Sequence, residues 1–472
     1  MPNRFAVKTI QTPAALLGVD YSPDGLRVAT CGLGRDITVW DVASGRPALV
    51  LTGHTDDVVA VRFSPNGRYL ASGGVDKALI LWDAITGELL RKNLDHTDYV
   101  RDVAFSADSK LLASAGWDGL ALVFDTFSGQ RLATLRAGGT AAVRNAAPAP
   151  TDPDRAAPAP ADPAKTAKGR SGNVTSVAFS PDGTELLTAS GDHNLRTWNT
   201  ATWQLKATLA GHADEVWDAR YAPNGRYAVS GAWDNSVRVW DLAQGQCVLT
   251  VPAHTSDVWA AAFSPDGQLI ATGGGDRQVK VWDAALGTLV YVVSGEDHTA
   301  EVENLAFSPD GRALASVSRD GSLRFWLVPT PDDRIRAYAD HEIEKWARKG
   351  DYEKSDEYQR RLLGKRFERL QELQAEAQAR ILAGFGTTAN WQTFALGDYN
   401  ADAETFTLTS GLWPGLFHVK VAPRDAPRFR EGFGKSAFGT PTLVFQSGVI
   451  GLKEVALTVP LGAQLRAFAL TR

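Results

Sequence analysis

Cysteine, methionine and long apolar runs are scarce in this chain of 472 residues, which contains two cysteines and one methionine. Cys31 and Cys247 lie in separate parts of the chain and indicate no disulfide framework, so the composition predicts a reducing compartment. No stretch reaches the roughly 18 apolar residues of a membrane-spanning helix, and the N-terminus lacks the basic-then-apolar pattern of a signal peptide. The formal net charge of -5 gives no reason to expect nucleic acid or an acidic membrane as the main partner. Together these absences predict a cytoplasmic protein.

The bulk composition is that of an ordinary globular protein, with 44% hydrophobic and 22% charged residues. Within it, a four-residue turn of the type Ser-Pro-Asp-Gly recurs seven times in strict or looser form. Proline presets φ at the second position and glycine suits the fourth, so each copy predicts a type I turn between strands. The turns occupy residues 22–25, 64–67, 106–109, 180–183, 222–225, 264–267 and 308–311.

Histidine, aspartate and an aromatic residue recur at fixed distances around these turns. Five histidines each precede a turn by ten residues and an aspartate by 22, and an aromatic side chain follows that aspartate after six residues. In the two remaining units, Thr12 and Arg170 take the histidine position, whereas Trp40 and Trp198 keep the aromatic one. The runs between these landmarks are short and β-branched, and they predict four strands in roughly 40–45 residues, the size of a propeller blade.

Residues 4–328 resemble the WD40-repeat family through "GHTDDV", "SPNG", "SGGVD" and "LWD" and through six related units. The resemblance implies an all-β, seven-bladed β-propeller over residues 1–328. We expect a helical segment and a small α+β domain to follow it. The seventh unit stops after its third strand, "SLRFWLVP", so we expect residues 4–9, "RFAVKT", to supply the fourth strand and close the ring.

The family resemblance also implies a hydrogen-bond tetrad of His, Ser or Thr, Asp and Trp in each complete blade. A buried imidazole needs partners on both nitrogens and an indole N–H needs an acceptor, so the grouping is chemically sensible. A cluster of His, Asp and Ser also suggests hydrolysis, but its repetition at identical spacing favours a structural role. Phe124 stands in place of the tryptophan in the third unit. The four complete tetrads are His54, Ser72, Asp76 and Trp82; His212, Ser230, Asp234 and Trp240; His254, Thr272, Asp276 and Trp282; and His298, Ser316, Asp320 and Trp326.

The segment "SGAWDNSVRVWD" at 230–241 contains two tryptophans with different predicted roles. Trp240 belongs to a tetrad and is expected to be buried between blades. Trp233 lies at the tip between the second and third strands and is expected to be exposed. That tip and the start of the first strand emerge on the same narrower face, which in WD40 proteins is the usual site of partner binding. The predicted partner-binding residues on this face are Asp57, Tyr99, Arg101, Trp117, Glu215, Trp217, Trp233, Asp257, Trp259, Glu301, Glu303 and Arg319.

Aromatic residues gathered at the centre of a face, with charged residues around them, are typical of a binding hot spot. This set predicts a surface that binds a protein or peptide segment carrying Lys or Arg, by cation–π and ion-pair contacts. The alternative is that the rings pack against neighbouring blades or cover the channel mouth, because an indole has a large apolar area to bury. No catalytic residue, cofactor or metal ion is predicted, and neither a membrane nor nucleic acid is an expected partner.

Two regions depart from the repeat. Residues 137–168 are rich in Ala and Pro without apolar periodicity, and they predict a disordered insertion on the same face, either a tether or lid or a passive loop. The pattern becomes helical over 329–384, and residues 385–472 predict a small β-rich α+β domain. The segments "KGDYEKSDEYQRR" and "LGDYNADAETFTL" resemble an uncharacterised helix-plus-sheet module of bacterial proteins, which implies no activity.

These observations predict a non-catalytic protein–protein interaction scaffold. The competing class is an enzyme or regulatory module with activity in the C-terminal domain or the propeller channel, and a cluster of acids lining the channel would favour it. A third class is nucleic-acid binding through a basic helical run, although the neighbouring glutamates favour a solvated face. The run comprises Arg360, Arg361, Lys365, Arg366 and Arg369.

Overall fold

A computed structural model describes most of the chain. Its described residues form seven antiparallel blades, a seven-bladed β-propeller, and a further sheet with helices toward the C-terminus. The predicted fold class is therefore confirmed. The described residues are 6–139, 141–143, 172–293, 298–347, 365–366, 368–380, 394–400, 405–410, 417–422, 425–432, 437–438, 442–446, 449–461 and 464–471.

Blades one to four follow one another along the chain, and each is an antiparallel sheet in strand order. Blade three carries a fifth strand at its outer edge. The strands are, in blade one, β2 (Leu16–Tyr21), β3 (Arg27–Gly32), β4 (Asp36–Asp41) and β5 (Pro47–Thr52); in blade two, β6 (Val58–Phe63), β7 (Tyr69–Gly74), β8 (Leu79–Asp83) and β9 (Leu89–Asn93); in blade three, β10 (Val100–Phe105), β11 (Leu111–Gly116), β12 (Leu120–Asp125), β13 (Arg131–Arg136) and β14 (Ala141–Val143); and in blade four, β15 (Val174–Phe179), β16 (Glu185–Ser190), β17 (Asn194–Asn199) and β18 (Leu205–Ala210).

Blades five to seven continue this arrangement, and the last blade uses the N-terminal strand. The first strand of every blade contacts the first strands of both neighbouring blades, so seven strands form a closed inner ring around the channel. The strands are, in blade five, β19 (Val216–Tyr221), β20 (Tyr227–Ala232), β21 (Ser236–Asp241) and β22 (Gln246–Pro252); in blade six, β23 (Val258–Phe263), β24 (Leu269–Gly274), β25 (Val279–Asp283) and β26 (Leu289–Val293); and in blade seven, β27 (Val302–Phe307), β28 (Ala313–Ser318), β29 (Ser322–Leu327) and β1 (Ala6–Gln11).

The N-terminal strand β1 closes the ring by pairing antiparallel with β29, from Ala6 opposite Trp326 to Gln11 opposite Ser322. The side chain of Gln11 adds a hydrogen bond, because its Nε2 donates to the Asp320 carbonyl at 2.7 Å. The pairing covers an edge of β29 that would otherwise present open peptide groups. The first and last strands of the propeller thereby become neighbours.

The recurring turns hold their fourth residue in the left-handed region, with φ of 70° for Gly225 and 61° for Ser109. Glycine has no Cβ to clash in that region, which explains why it recurs there. The turn serine fixes the geometry, since Oγ of Ser64 donates to Asn66 Oδ1 at 2.7 Å and accepts the N–H of Tyr69 at 2.9 Å. These local contacts set the register between the first two strands of a blade.

The predicted disordered insertion 137–168 begins with ordered backbone. Ala141–Val143 form β14, which pairs antiparallel with β13 and places Val143 opposite Ala133. The prediction of disorder is wrong for these residues, because the outer edge of β13 offers unpaired peptide groups that the returning chain can bind. Residue 140 and residues 144–168 lie outside the described residues.

The chain divides into two compact units. The first comprises Met1–Pro265, Ile270–Lys280 and Val292–Val328, and the second comprises Asp266–Leu269, Val281–Tyr291 and Pro329–Arg472. The second unit therefore includes two stretches that belong by sequence to blade six. The predicted domain boundaries at residues 328 and 384 stay predictions.

Helix α1 of the second unit (Pro331–Ala347) begins with a capping box. Thr330 Oγ1 accepts the N–H of Asp333 at 3.3 Å, and the Asp333 carboxylate accepts the N–H of Thr330 at 3.0 Å. Pro331 fits the first helical turn because its missing N–H has no intrahelical partner there. Residues 365–366 and 368–380 are also helical. None of the described helices is long and apolar enough to cross a membrane.

A buried ion pair lies inside the second unit. Arg334 of α1 donates from Nε to Asp283 Oδ2 at 2.7 Å, and its Nη2 lies 2.6 Å from the same oxygen. Nη2 also donates to Gln268 Oε1 at 3.3 Å. Arg334 and Asp283 are only 2% and 0% exposed. The ion pair therefore joins α1 to Asp283, the last residue of β25.

The C-terminal part contains an antiparallel sheet in the order β30-β31-β32-β36-β35-β33, with β34 also paired to β35. A short helix, α2 (Ala426–Gly432), lies between β32 and β33, and Phe429 stacks on Phe406 of the sheet at 5.0 Å between centroids. The segment "KGDYEKSDEYQRR" lies outside the described residues. The strands are β30 (Phe394–Asn400), β31 (Thr405–Ser410), β32 (Phe417–Lys420), β33 (Ala437–Phe438), β34 (Thr442–Gln446), β35 (Val449–Leu461) and β36 (Gln464–Thr471).

Candidate partner-binding face

The tetrad residues of blade five form one continuous hydrogen-bonded chain. Trp240 Nε1 donates to Ser230 Oγ at 2.9 Å, Ser230 Oγ lies 2.7 Å from His212 Nε2, and His212 Nδ1 lies 2.9 Å from Asp234 Oδ2. The tautomer that satisfies every partner carries its proton on Nδ1, because Asp234 accepts and the serine hydroxyl donates to Nε2. The imidazole is fully buried. The arrangement therefore ties strands together and offers no open catalytic group.

The structure brings the histidine, hydroxyl and aspartate residues of the other tetrads together in the same way, and in blades two and seven the tryptophan also donates to the hydroxyl. The histidine side chains of these tetrads are equally buried. Trp282 is buried and belongs to the second compact unit. In blade three the bonds of His96 to Asp118 and Ser114 persist, but Phe124 supplies no indole donor. The distances are His54 to Asp76 2.9 Å and to Ser72 2.8 Å, His254 to Asp276 2.8 Å and to Thr272 2.8 Å, His298 to Asp320 3.2 Å and to Ser316 2.9 Å, and Trp82 to Ser72 and Trp326 to Ser316 2.8 Å each.

Blade four, which has no histidine at the expected position, uses an arginine that the sequence analysis missed. Arg196 donates from Nη2 to Asp192 Oδ2 at 2.5 Å and from Nη1 to Ser190 Oγ at 3.0 Å. Burial by itself raises the pKa of Asp192, but the hydrogen bonds from Arg196 and Ser190 outweigh it and lower the pKa. The signal in the sequence was a basic residue four positions after the turn aspartate. Lys280 occupies the same position in blade six, and its Nζ lies 3.5 Å from Asp276.

Acid is expected to destabilise the propeller through its tetrads. Burial raises the pKa of Asp76 and Asp276, but hydrogen bonds from His54 and His254 outweigh it and hold both values at about 2. A carboxylate with a folded pKa below its unfolded value stabilises the fold above about pH 4 and loses that contribution toward pH 2. Burial also lowers the pKa of His254, so protonation of the unfolded chain starts the loss below about pH 6.5.

Denaturant unfolding at a series of pH values tests this expectation. The free energy of unfolding should decline below about pH 6.5 and fall more steeply between about pH 4 and pH 2. An Asp76→Asn variant should start less stable and show a shallower decline in the acid range. A profile that stays flat from pH 6 to pH 2 would contradict this assignment.

The narrow-face positions predicted from the repeat are linked by one hydrogen bond in every blade. The N–H of the residue before the turn aspartate donates to the carbonyl of the residue at the start of the first strand, as from Trp233 to Glu215 at 3.0 Å and from Trp117 to Tyr99 at 3.0 Å. The equivalent bond runs from Arg319 to Glu301 at 3.1 Å. These residues therefore lie together at the same end of each blade.

Five aromatic side chains from blades three, five and six pack together in a group that we call the aromatic cluster. Tyr99 stacks on Trp117 with 5.1 Å between centroids, and Trp217 stacks on Trp233 at 5.0 Å. Trp259 meets Trp217 edge-on at 4.9 Å and Trp233 at 5.8 Å. The rings thus pack largely against one another.

The expectation that Trp233 is exposed is wrong. Its exposed fraction is 6%, and Trp117, Trp217 and Trp259 are buried to a similar degree, whereas Tyr99 is half-buried. The physical reason is that three indoles from two adjacent blades cover one another's faces and so bury apolar area without a partner. Gly275 helps, since a Cβ there would lie only 3.2 Å from Trp259 Nε1.

The charged residues of the narrow face are also less exposed than predicted. Arg319 Nε binds Glu303 and lies 3.4 Å from a carboxylate oxygen of Glu301. Glu303 and Glu215 are buried, so the predicted acidic edge is wrong at these two positions, and the charge of Glu303 is paired with Arg319. Burial raises the pKa of Glu303, and the charge of Arg319 opposes the rise only in part.

The remaining predicted positions are more accessible. Asp57 and Asp257 are half-buried, and the Glu301 side chain is 38% exposed. Asp57 also links two blades, because its Oδ1 accepts the N–H of Gly34 at 2.8 Å. Arg101 is half-buried and places its guanidinium over the Trp217 ring, 4.8 Å from the centroid. The natural cation–π position on Trp217 is therefore filled by the protein's own arginine.

A charged network that the sequence analysis did not anticipate lines the channel. Arg220 donates from Nη1 to Asp102 Oδ2 at 2.8 Å, and its Nη2 lies 3.1 Å from Asp218 Oδ1. Arg62 lies 3.8 Å from Asp20 and 3.9 Å from Asp102. Asp20, Arg62 and Arg220 occupy equivalent first-strand positions, and Asp102 and Asp218 occupy the position two residues earlier. The residue type at each position differs from blade to blade, so the repeat gave no signal for them.

The channel acids are paired rather than poised for catalysis. Burial alone raises the pKa of Asp102, but the charges of Arg220 and Arg62 outweigh it and hold the pKa below its usual value. Asp218 Oδ2 accepts the N–H of Ala261 at 3.1 Å besides its contact with Arg220. Within the described residues, no group of three or more His, Cys, Asp or Glu side chains is arranged to hold a metal ion. This pairing favours a structural role for the acids.

Comparison with known protein families agrees with this architecture. The model of the WD domain, G-beta repeat, matches seven segments that correspond to the seven repeat units. No curated protein matches the chain. The matched segments are residues 6–41, 45–83, 87–125, 162–199, 203–241, 245–283 and 287–326. Each segment covers the first three strands of one blade, and all except 162–199 also contain the last strand of the preceding blade. Because the seven segments cover more than half of the chain, this protein belongs to the WD40-repeat family.

Proposed function

We propose that this protein is a non-catalytic scaffold that binds a segment of a partner protein on its narrow face. WD40 propellers are general protein-interaction scaffolds and are typically non-enzymatic. The observation that supports this choice of face is a pocket at its centre, with mainly apolar walls and a few charged groups, as binding pockets have. Its lining residues are Leu17, Val59, Tyr99, Arg101, Trp117, Trp217, Glu303 and Arg319.

The partner segment is proposed to carry Lys or Arg beside the part that enters the pocket. Asp57, Asp257 and Glu301 are the more accessible acids of this face, and their negative charge favours Lys or Arg side chains beside the pocket. Ion pairs are favoured over a cation–π contact, because Arg101 already covers one face of Trp217. A cytoplasmic location, inferred from the cysteine content, belongs to the same proposal.

Nucleic acid is not the proposed partner. In the basic run, Arg369 lies 2.8 Å from Glu372 on the same helix. Further along that helix, Arg380 lies 2.5 Å from Glu376. Charges neutralised in this way contribute little to the phosphate binding that nucleic-acid affinity requires. Arg360 and Arg361 lie outside the described residues.

Affinity capture from the host lysate, followed by mass spectrometry, tests the proposed face. The test variant combines Tyr99→Ala with Glu301→Lys, which alters the pocket edge and reverses one accessible acid without removing a buried indole. The control is Phe127→Ala, because Phe127 is 86% exposed and lies after β12, at the opposite end of that strand from Trp117. We expect the partner to be lost from the Tyr99/Glu301 variant and retained by the control. The reverse pattern, or loss from neither, would contradict binding at the narrow face.

A further inference from the structure

We propose that the centre of the narrow face binds a carboxylate of the partner segment, held by the Arg101 guanidinium and the indole N–H groups of Trp217 and Trp259. The inference rests on the proposed scaffold function and names the chemistry of its central contact. All three side chains line one cavity that continues into the channel. Arg101 and Trp217 also line the pocket on the narrow face, so they lie between that pocket and the cavity.

Arg101 is a surplus cation. It lies near the carboxylates of Glu303, Asp102 and Asp218, whose charges favour its protonated form. Burial has the larger effect and lowers the pKa of Arg101. Among the described residues it forms no ion pair within 4 Å and no hydrogen bond, and its guanidinium lies over the Trp217 ring. A guanidinium has five N–H donors and no acceptor. Arg101 therefore presents donors that the protein itself leaves unused.

The neighbouring acids are already engaged by other groups. Asp102 and Asp218 bind Arg220, and Glu303 binds Arg319. Backbone N–H groups supply further donors, from Val177 to Asp102 at 3.1 Å and from Ala261 to Asp218 at 3.1 Å. Since these carboxylates have their own partners, an incoming carboxylate need not displace any of them to reach Arg101.

The indoles supply a second and independent observation. Trp217 and Trp259 are 4% and 6% exposed, and the Nε1 atom of each is buried without a hydrogen-bond partner among the described residues. The tetrad indole of Trp240, by contrast, donates to Ser230. A buried donor without an acceptor is costly, so two of them beside one cavity indicate a site that is completed by an acceptor from outside.

A carboxylate fits this donor set better than the other common side chains. Its two oxygens accept several hydrogen bonds and can bind a guanidinium in a bidentate manner. A lysine ammonium only donates, and it would approach the positive charge of Arg101. The proposed segment therefore places an acidic group at the centre of the face and its Lys or Arg side chains at the accessible acids around it.

Indole N–H resonances of the full-length protein provide a direct test by NMR. The chain has 14 tryptophans, and Trp217→Phe and Trp259→Phe variants identify the two relevant signals by their loss. The probes are the blocked amino acids N-acetyl-glutamate amide, N-acetyl-glutamine amide and N-acetyl-lysine amide at neutral pH. We expect the glutamate probe to shift the Trp217 and Trp259 signals in a saturable manner, and the glutamine and lysine probes to leave them unchanged.

Arg101→Gln should weaken the response to the glutamate probe about tenfold to a hundredfold, as expected for the loss of a charged hydrogen bond. The matched control is Arg68→Gln, which removes a guanidinium from over the ring of Tyr69 and should leave the response intact. The remaining indole signals report whether each variant is folded, and Arg101→Lys provides a second variant that keeps the charge but loses the bidentate geometry.

Two results would overturn the inference. One is a shift by the lysine probe without a shift by the glutamate probe, and the other is no saturable shift by the glutamate probe in the folded wild type. If either occurs while the Tyr99/Glu301 variant still loses its captured partner, the scaffold function stands and only the assignment of a carboxylate to the central site is wrong. If the glutamate probe binds but the captured partner is unaffected by that variant, the central site binds an acidic group and the partner uses another surface.

Discussion

Replacement of Trp240 by alanine is expected to lower the free energy of unfolding of the propeller by about 3–5 kcal/mol, the usual cost of deleting a large buried aromatic side chain. Trp240 is 1% exposed and packs in a cluster with Leu187, Leu195 and Leu209 of the preceding blade. The substitution would open a cavity between blades four and five. It would also remove the donor to Ser230, whose hydroxyl orients His212.

Denaturant unfolding followed by circular dichroism measures this loss. Trp240→Phe is the matched control, because it keeps most of the buried ring but removes the indole N–H, and it should cost about 1 kcal/mol for the lost hydrogen bond. Blade three already has a phenylalanine at this position, since Phe124 is buried there and the bond between His96 and Ser114 persists. Equal costs for the two variants would show that the hydrogen bond, not the packing, dominates at this position.

Replacement of Arg334 by alanine is expected to destabilise helix α1 by about 3–5 kcal/mol, because it leaves the carboxylate of Asp283 buried without a counter-charge. The two side chains are joined through Nε at 2.7 Å and are both almost fully buried. Gln268 Oε1 accepts a hydrogen bond from Arg334 at 3.3 Å, but the amide is neutral and cannot replace the positive charge beside Asp283.

Hydrogen–deuterium exchange of Pro331–Ala347 measures the local opening of α1 in the full-length chain, and protection should fall roughly a hundredfold or more. The double variant Arg334→Met/Asp283→Leu separates charge from packing. It should recover most of the protection, because a buried ion pair can often be replaced by apolar side chains of similar volume. Loss of protection in the double variant equal to that in Arg334→Ala would show that shape, not the uncompensated charge, is the cause.

The blade architecture could be predicted because each blade repeats the same local contacts. His212, Ser230 and Asp234 must reach one another within a single hairpin-connected sheet, so their spacing along the chain is set by strand and turn length. The turn residues act over four positions, as Ser64 and Asn66 show. Interactions of this range leave a periodic pattern in the order of the amino acids, and that pattern predicts the blades.

The exposure of residues on the predicted face was harder to predict from the sequence, as Trp233 shows. Its place before Asp234 correctly put it at the tip of a blade, beside Glu215. Its exposure depended on Trp217 and Trp259, whose rings pack against it at 5.0 and 5.8 Å between centroids. Which rings face one another across adjacent blades is a matter of three-dimensional packing, and the position of a residue in a repeat does not carry that information.

The amino-acid sequence by itself determined the number of blades, the turns and the tetrads, because these depend on contacts within one repeat. Only the tertiary structure decided the partners of the arginines. Arg220 binds Asp102 across 118 positions of the chain, Arg334 binds Asp283, and Arg101 is left with a ring and no carboxylate. The physical reason is that an ion pair forms wherever two side chains of opposite charge converge in space, and closing the ring brings together first strands that are far apart in sequence.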